Sequence, residues 1–211
     1  MEPRVIVLAV LIVAAAVLTI IFDYRGRWRL VYVFKPLAMA GVIVLVLLAQ
    51  NPYPRYRGWI LAGLGSSMLG DVFLMLRPKR FIEGLASFLA AHVFYIIAFL
   101  STMTYHLHFG TLLPFFLYAL FMMRTLAPYL EKMRLPVFLY IVVVTIMAAL
   151  AAERFIGVGG GKALSALVGA LLFVVSDSVL AAHRFVKKFP AAQAIILSSY
   201  FAAQLFIALS V

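Results

Sequence analysis

The fold is decided by residues 5–22, which read VIVLAVLIVAAAVLTIIF and contain no charged side chain. An α-helix rises about 1.5 Å per residue, so this run approaches the ~20 apolar residues that cross a bilayer. The run is too long for the apolar part of a secretion signal, and no small-residue cleavage site precedes Asp23. We therefore predict a first transmembrane helix here.

Seven further apolar runs follow, separated by short breaks that contain Pro, Gly, Asn and basic residues. The composition is 66% hydrophobic and 12% charged, whereas soluble domains are about 25% charged. We predict an all-α, polytopic membrane protein with eight transmembrane helices in a single domain over residues 1–211. The predicted helices are Val5–Phe22, Val31–Gln50, Gly58–Leu76, Phe81–Thr102, Thr111–Ala127, Leu135–Ala152, Lys162–Ala182 and Pro190–Ser210.

The net charge of +11 could suggest a nucleic-acid partner, but the basic residues lie in the short gaps between apolar runs. The loops after helices one, three, five and seven hold twelve Lys and Arg residues, and the opposite side holds five. Loops rich in Lys and Arg usually face the cytoplasm. We therefore expect no nucleic-acid partner and a bacterial cytoplasmic membrane, with both termini outside; the alternative places both termini inside.

A weak internal repeat relates the two halves of the sequence. Gly63 precedes Asp71 by eight residues, and Gly169 precedes Asp177 by the same interval, 106 residues further along the chain. An even number of helices separates the halves, so the repeat would be a parallel four-plus-four arrangement. Chance similarity between two apolar helices is the alternative.

Ionisable side chains inside a span are costly and usually face the interior of a helix bundle. Lys35, Asp71 and Asp177 should lie in one layer, roughly 6 to 8 Å below the cytoplasmic boundary. One to two turns deeper lie His92 and Tyr95, which share a helix face. Farther along, helix eight places the Tyr200 and Gln204 side chains near the middle.

This layer has a structural and a chemical interpretation. Lys35 could neutralise one aspartate and tie helices together, but a single lysine cannot neutralise both Asp71 and Asp177. The second carboxyl should then keep its proton, because burial and a nearby like charge disfavour its ionised form. One protonated and one ionised carboxyl is the arrangement of a general acid with a basic partner.

Metal and thiol chemistry have little support in this sequence. There is no cysteine, which excludes disulfides, thiolate nucleophiles and Cys-based metal sites. Tyr105-His106-Leu107-His108 could bind a metal, but it lies in an outward loop without a neighbouring carboxylate. We expect histidines at a headgroup interface there, and no metal or cofactor.

The chain resembles the lysoplasmalogenases, the YhhN-like integral membrane hydrolases. The likeness is carried, in order along nearly the whole chain, by Lys35-Pro36, Gly70-Asp71, Gly84 before His92-x-x-Tyr95, Ser176-Asp177 and Tyr200-x-x-x-Gln204. The resemblance implies metal-free hydrolysis of the sn-1 vinyl-ether bond of a lysoplasmalogen, giving a fatty aldehyde and a glycerophospho-ethanolamine or -choline. It also implies that Asp71 and Asp177 are catalytic, and we expect substrate contacts from Lys35, His92, Tyr95, Ser176, Tyr200 and Gln204.

Opening a vinyl ether requires protonation of its outer carbon, because the bond has no carbonyl for a nucleophile to attack. We expect the lysophospholipid to enter from the cytoplasmic leaflet, with its headgroup near Lys35 and its chain between helices in contact with membrane lipid. A proton-coupled transporter is the main alternative, but its carboxylates would usually lie at the midplane beside broken helices. A membrane assembly or signalling protein is a third possibility. Headgroup preference and oligomeric state are not decided by the sequence.

Overall fold

The structure, a computed structural model, describes residues 3–50, 52–76, 80–103 and 108–211. These residues form eight α-helices and no strand, and every helix is long and apolar enough to cross a membrane. The helices are Pro3–Tyr24 (α1), Trp28–Leu48 (α2), Pro54–Met75 (α3), Phe81–Leu100 (α4), Phe109–Leu126 (α5), Arg134–Val158 (α6), Gly160–Ala181 (α7) and Ala192–Leu209 (α8). A π-helical turn, Ala182–Val186, extends α7.

The predicted helix ends agree with the structure to within four residues, except at α6. That helix was expected to end at Ala152 and instead continues to Val158. A charged pair usually marks the end of a membrane span. Here, however, Glu153 and Arg154 are only 1% and 6% exposed. Each side chain has a hydrogen-bond partner within the protein, so the helix can continue through them.

Six helices form a ring in the order α2, α3, α4, α6, α7 and α8, with α8 returning to α2. The two remaining helices lie outside it: α1 packs on α2 and α8, and α5 packs on α6. This order is the one that a parallel four-plus-four repeat produces, because it places α1–α4 in the same relation to the ring as α5–α8. The common origin of the halves stays a prediction.

The two glycines of the suggested repeat lie at close helix crossings. A Cβ atom on Gly63 would come within 2.2 Å of the ring of Tyr95 in α4. A Cβ atom on Gly169 would come within 2.9 Å of the carbonyl oxygen of Ala203 in α8. Helices α3 and α7 therefore approach their partners through equivalent glycines, as small residues allow in membrane bundles.

Large apolar side chains cover the outer helices. On α1, Val10 is 61% exposed, and on α5, Phe116 is 64% exposed. Extended apolar surfaces of this kind are rare on monomeric soluble proteins. They are the expected surface of a helix that contacts lipid.

Candidate active site

A cavity of about 670 Å³ lies at the end of the ring where α1, α3 and α7 end and α2, α4 and α8 begin. In the sequence, these helix ends are joined by three of the four connections that are rich in basic residues. The lining residues that carry a polar or charged group are Asp23, Trp28, Tyr32, Lys35, Asp71, Ser176, Asp177, His183, Arg184, Lys188, Gln193 and Tyr200. The expected clustering of Lys35, Asp71 and Asp177 is therefore present.

Asp71 is held by a cation and a phenol from two other helices. It projects from α3 and is 1% exposed. The Nζ atom of Lys35 in α2 lies 2.9 Å from its Oδ1 atom. The hydroxyl of Tyr200 in α8 donates to its Oδ2 atom at 2.6 Å. A buried carboxylate needs both charge and hydrogen-bond partners, and this arrangement supplies both.

Asp177 has different neighbours. The hydroxyl of Tyr140 in α6 donates to its Oδ2 atom at 2.9 Å. The Nε2 atom of His92 in α4 lies 3.6 Å from the same oxygen, which is too long for a normal hydrogen bond. Of the described residues, no lysine or arginine forms an ion pair with Asp177. The two aspartates thus share one cavity but not one electrostatic environment.

Tyr140 was not predicted from the sequence, and the suggested repeat leads only to its neighbour. Lys35, the partner of Asp71, precedes Tyr140 by 105 residues. The interval between Asp71 and Asp177 is 106 residues and pairs Lys35 with Ile141, so Tyr140 is the neighbour of that position. The repeat therefore points to the neighbourhood of Tyr140 but does not single this residue out.

His92, Tyr95 and Gln204 do not line the cavity but lie fully buried next to it. The His92 ring packs edge-on against Tyr140 and Phe173, with centroids 5.2 and 4.8 Å away. Both His92 nitrogens lack a hydrogen-bond partner in the described part of the chain. Tyr95 donates to Oε1 of Gln204 at 2.8 Å. The structure therefore places these three behind the cavity wall, and the substrate contacts expected for them stay predictions.

Ser176 lies in the cavity wall and ties two helices together. Its Oγ atom donates to the backbone oxygen of Ile196 in α8 at 3.1 Å. The residue precedes Asp177 on α7, so this bond fixes the segment that carries the carboxylate. A substrate contact by Ser176 also stays a prediction.

Basic side chains stand at the mouth of the cavity. Arg184, in the π-helical turn, is exposed, and its guanidinium carbon lies 4.6 Å from the ring centroid of Phe81. Lys188 is also exposed and lines the same cavity. The sequence pointed to these basic loops in general, but not to these two residues.

A second polar cluster lies at the opposite end of the helices. Nδ1 of His108 lies 3.0 Å from Oε2 of Glu153, so the expected absence of a carboxylate near these histidines is wrong at His108. Tyr105, His106 and Leu107 lie outside the described residues. Next to Glu153, Arg154 donates to Oγ1 of Thr102 at 2.9 Å. Within the described ranges, no group of three or more His, Asp or Glu side chains could hold a metal ion.

Similarity to known proteins identifies the family of this chain. A sequence profile of the YhhN family matches residues 30–211, which include every residue of the cavity named above except Asp23 and Trp28. The chain belongs to the YhhN family. The resemblance drawn from the sequence is thus confirmed at the level of the family.

Curated relatives of this YhhN-family protein agree over most of its length. The uncharacterized membrane protein YhhN of Escherichia coli O6:H1 is 33% identical over 196 residues, covering 92% of each chain. Rat lysoplasmalogenase TMEM86B is 38% identical over 170 residues, covering 80% of this chain and 67% of the relative. The human lysoplasmalogenase TMEM86B is 36% identical over 172 residues, covering 78% and 68%. No solved structure matches significantly.

The similar proteins and the helices together show what class of protein this is with respect to the membrane. Relatives named as membrane proteins cover nearly the whole chain, and the described residues form eight apolar helices of spanning length. This YhhN-family protein is an integral, multi-pass membrane protein. The direction in which it crosses the membrane stays a prediction.

Proposed function

We propose that this protein hydrolyses the sn-1 vinyl-ether bond of a lysoplasmalogen, using Asp177 as the general acid and Asp71 as the general base. The observation that carries the proposal is the contrast between the two carboxyls in one cavity. Asp71 has Lys35 at 2.9 Å, whereas Asp177 has a phenol at 2.9 Å and an imidazole at 3.6 Å. The names of the mammalian relatives support the same reaction.

The partners of each carboxyl favour opposite protonation states. A lysine at contact distance stabilises Asp71 as the carboxylate. An ionised carboxyl without a cation is costly to bury, so the surroundings of Asp177 favour its neutral form. Because Tyr140 donates to Oδ2, the proton of a neutral Asp177 belongs on Oδ1, where it can be given to a substrate carbon.

The reaction would begin with proton transfer from Asp177 to the outer vinyl carbon. The electron pair of the double bond forms the new C–H bond and leaves an oxocarbenium ion that shares its charge with the ether oxygen. Asp71 then removes a proton from water while the water oxygen bonds to the cationic carbon. The product of this step is a hemiacetal, with Asp177 now ionised and Asp71 now protonated.

Collapse of the hemiacetal would restore both residues. The Asp177 carboxylate takes the hydroxyl proton as the carbonyl forms, and Asp71 gives its proton to the departing glycerol oxygen. The carbon–oxygen bond breaks to release a fatty aldehyde and the glycerophospho-ethanolamine or -choline. Two carboxyls in opposite states thus complete the cycle without a metal, and general acid–base catalysis of this kind contributes about 10² to 10⁴ in rate for each group.

The headgroup of the substrate would lie toward the mouth of the cavity. Arg184 and Lys188 stand there, and cationic side chains form strong hydrogen bonds with phosphate. Helices α3 and α7 run unbroken through Asp71 and Asp177. That continuity supports hydrolysis over the transport alternative, which usually places such residues in interrupted helices.

Substrate analogues test the proposed reaction. Purified protein should release aldehyde from a lysolipid with an sn-1 vinyl ether and leave the saturated ether of equal length intact. The saturated ether should compete, because it keeps the shape and headgroup but offers no carbon that can accept a proton. An sn-1 acyl ester should not release fatty acid, since none of the described residues that line the cavity is an activated nucleophile.

Heavy water adds a test of the first step. Hydrolysis in it should place one deuterium on the carbon next to the aldehyde when the reaction is stopped early. Fatty acid released from the ester, or early aldehyde without that deuterium, would overturn the proposal.

A further inference from the structure

A narrow apolar pocket of about 40 Å³ lies beside the polar cavity, between α4, α5, α6 and α7. Most of its lining is aliphatic or aromatic. Met122, Tyr118, Tyr140 and Leu180 are among the lining side chains. The proposed reaction gives this pocket no role so far.

The hydroxyl groups in the pocket already have partners within the protein. The hydroxyl of Tyr118 shares a hydrogen bond with Oγ of Ser178, and the hydroxyl of Tyr140 donates to Asp177. The Arg184 guanidinium stacks over the Phe81 ring at 4.6 Å. Apart from Asp177 and Arg184, which stand where the pocket meets the polar cavity, the lining therefore offers a ligand no free hydrogen-bonding group. This points to a hydrocarbon rather than to a headgroup.

The pocket and the polar cavity meet at the catalytic carboxyl. Phe81, Asp177, Leu180 and Arg184 line both spaces. Asp71 lines only the polar cavity. Asp177 thus stands at the boundary between a polar and an apolar space, and Asp71 stands on the polar side.

A lysoplasmalogen has the same division at its scissile bond. Its glycerol and headgroup lie on one side of the ether oxygen, and its alkenyl chain, which begins with the two vinyl carbons, lies on the other. We propose that the apolar pocket binds the first carbons of the alkenyl chain. The outer vinyl carbon then lies against Asp177, while the ether oxygen and the attacking water face the cavity that contains Asp71.

This inference rests on the proposed function, and it adds a specificity-determining residue to it. Met122 of α5 is 7% exposed and belongs to a small apolar cluster separate from the main core. Methionine fills irregular gaps and tolerates substitution, so this position can be changed without disturbing the ring of helices. Leu120, two residues earlier on the same helix, is 45% exposed and serves as a matched control.

Met122→Phe should obstruct the pocket, whereas Leu120→Phe should have no effect. The Met122 variant should raise KM for lysoplasmalogen, and the Ki of the saturated-ether competitor, by about tenfold. The Ki of glycerophosphoethanolamine, which has no chain, should not change. An unchanged KM in a folded Met122→Phe variant would overturn the inference, as would an equal rise in the Ki of the chainless product.

A second variant keeps the test decisive if Met122→Phe does not fold. Met122→Ala should accept a substrate with a methyl branch on the third chain carbon, which the native pocket should reject; no gain would overturn the inference. Failure of the proposed function has a different signature, because the native protein would then not cleave any vinyl ether. In that case no Ki can be measured, and direct binding of the saturated ether and of glycerophosphoethanolamine to the same variants would test the pocket instead.

Discussion

Asp71 and Asp177 are the same residue type at equivalent places in two helices, and their neighbours give them different chemistry. The Lys35 ammonium and the Tyr200 hydroxyl surround one carboxyl. The Tyr140 hydroxyl and the His92 ring surround the other. At the scale of the residue, the proposed activity depends on this difference in surroundings as well as on the two aspartates.

Replacing either aspartate by asparagine should abolish most of the turnover. Asparagine keeps the shape but can neither protonate carbon nor accept a proton, so Asp71→Asn and Asp177→Asn should each lose about 10² to 10⁴ in kcat. Aldehyde release measures this loss, and size-exclusion chromatography in detergent checks that the variants are folded. Near-native turnover in either folded variant would rule out the paired-carboxyl mechanism.

Two lysines that line the same cavity should separate turnover from binding. Lys35→Met removes the cation from buried Asp71, so it should lower kcat more than it changes KM. Lys188→Met, at the exposed mouth, should raise KM and leave kcat nearly unchanged. Steady-state kinetics on both variants give the comparison. A raised KM with native kcat for Lys35→Met would instead assign Lys35 to the headgroup, as the sequence alone suggested.

The charged residues of the site could be predicted, but their pairings could not. Lys35, Asp71 and Asp177 are conspicuous because a charge is rare inside an apolar run. Which carboxyl the lysine contacts depends on how the helices are ordered around the ring, and that order is not encoded by local periodicity. Tyr140 was missed for a related reason, since one tyrosine among many aromatic residues has no distinctive signal.

Close helix crossings are the main feature at the scale of the element. Gly63 lets α3 approach α4 so closely that the Tyr95 ring occupies the space of a missing side chain. Tyr95 is fully buried and bonds to Gln204, so its ring has nowhere to move. The absence of a side chain at Gly63 thus allows α3, α4 and α8 to pack together at this point.

Gly63→Ala should therefore destabilise the protein, whereas Gly65→Ala should not. The new Cβ on Gly63 would lie 2.2 Å from a ring carbon of Tyr95, but no atom lies within 4 Å of the same position on Gly65. Overpacking of this kind costs about 1–3 kcal/mol. Thermal unfolding in detergent provides the measurement, and equal melting temperatures for the two variants would contradict this account of the crossing.

Element boundaries were predictable where lipid decides them and unpredictable where tertiary contacts do. Long apolar runs located all eight helices. The end of α6 was misplaced because Glu153 and Arg154 find partners in His108 and Thr102, which belong to a different part of the sequence. A span can carry charges when the fold supplies their partners.

The orientation of the whole molecule is a prediction from charge alone. A cytoplasm-active reporter should give signal when it is fused in the loop that follows α5. The same reporter should give no signal when it is fused to the C-terminus. The reason is that the side containing this loop holds twelve Lys and Arg residues, whereas the opposite side holds five. Strong signal from the C-terminal fusion would reverse the orientation and place the cavity in the outer leaflet.

The arrangement of the helices has an evolutionary consequence. A chain that crosses a membrane four times has both of its termini on the same side. A gene for such a unit can therefore be duplicated in tandem without inverting the second copy. Two separate copies of a four-helix ancestor can close the same six-membered ring, each leaving its first helix outside. Such an ancestor would present two identical aspartates to one another across a symmetric interface. Fusion of the copies would remove that constraint, and only after fusion could one aspartate gain a lysine and its counterpart a tyrosine.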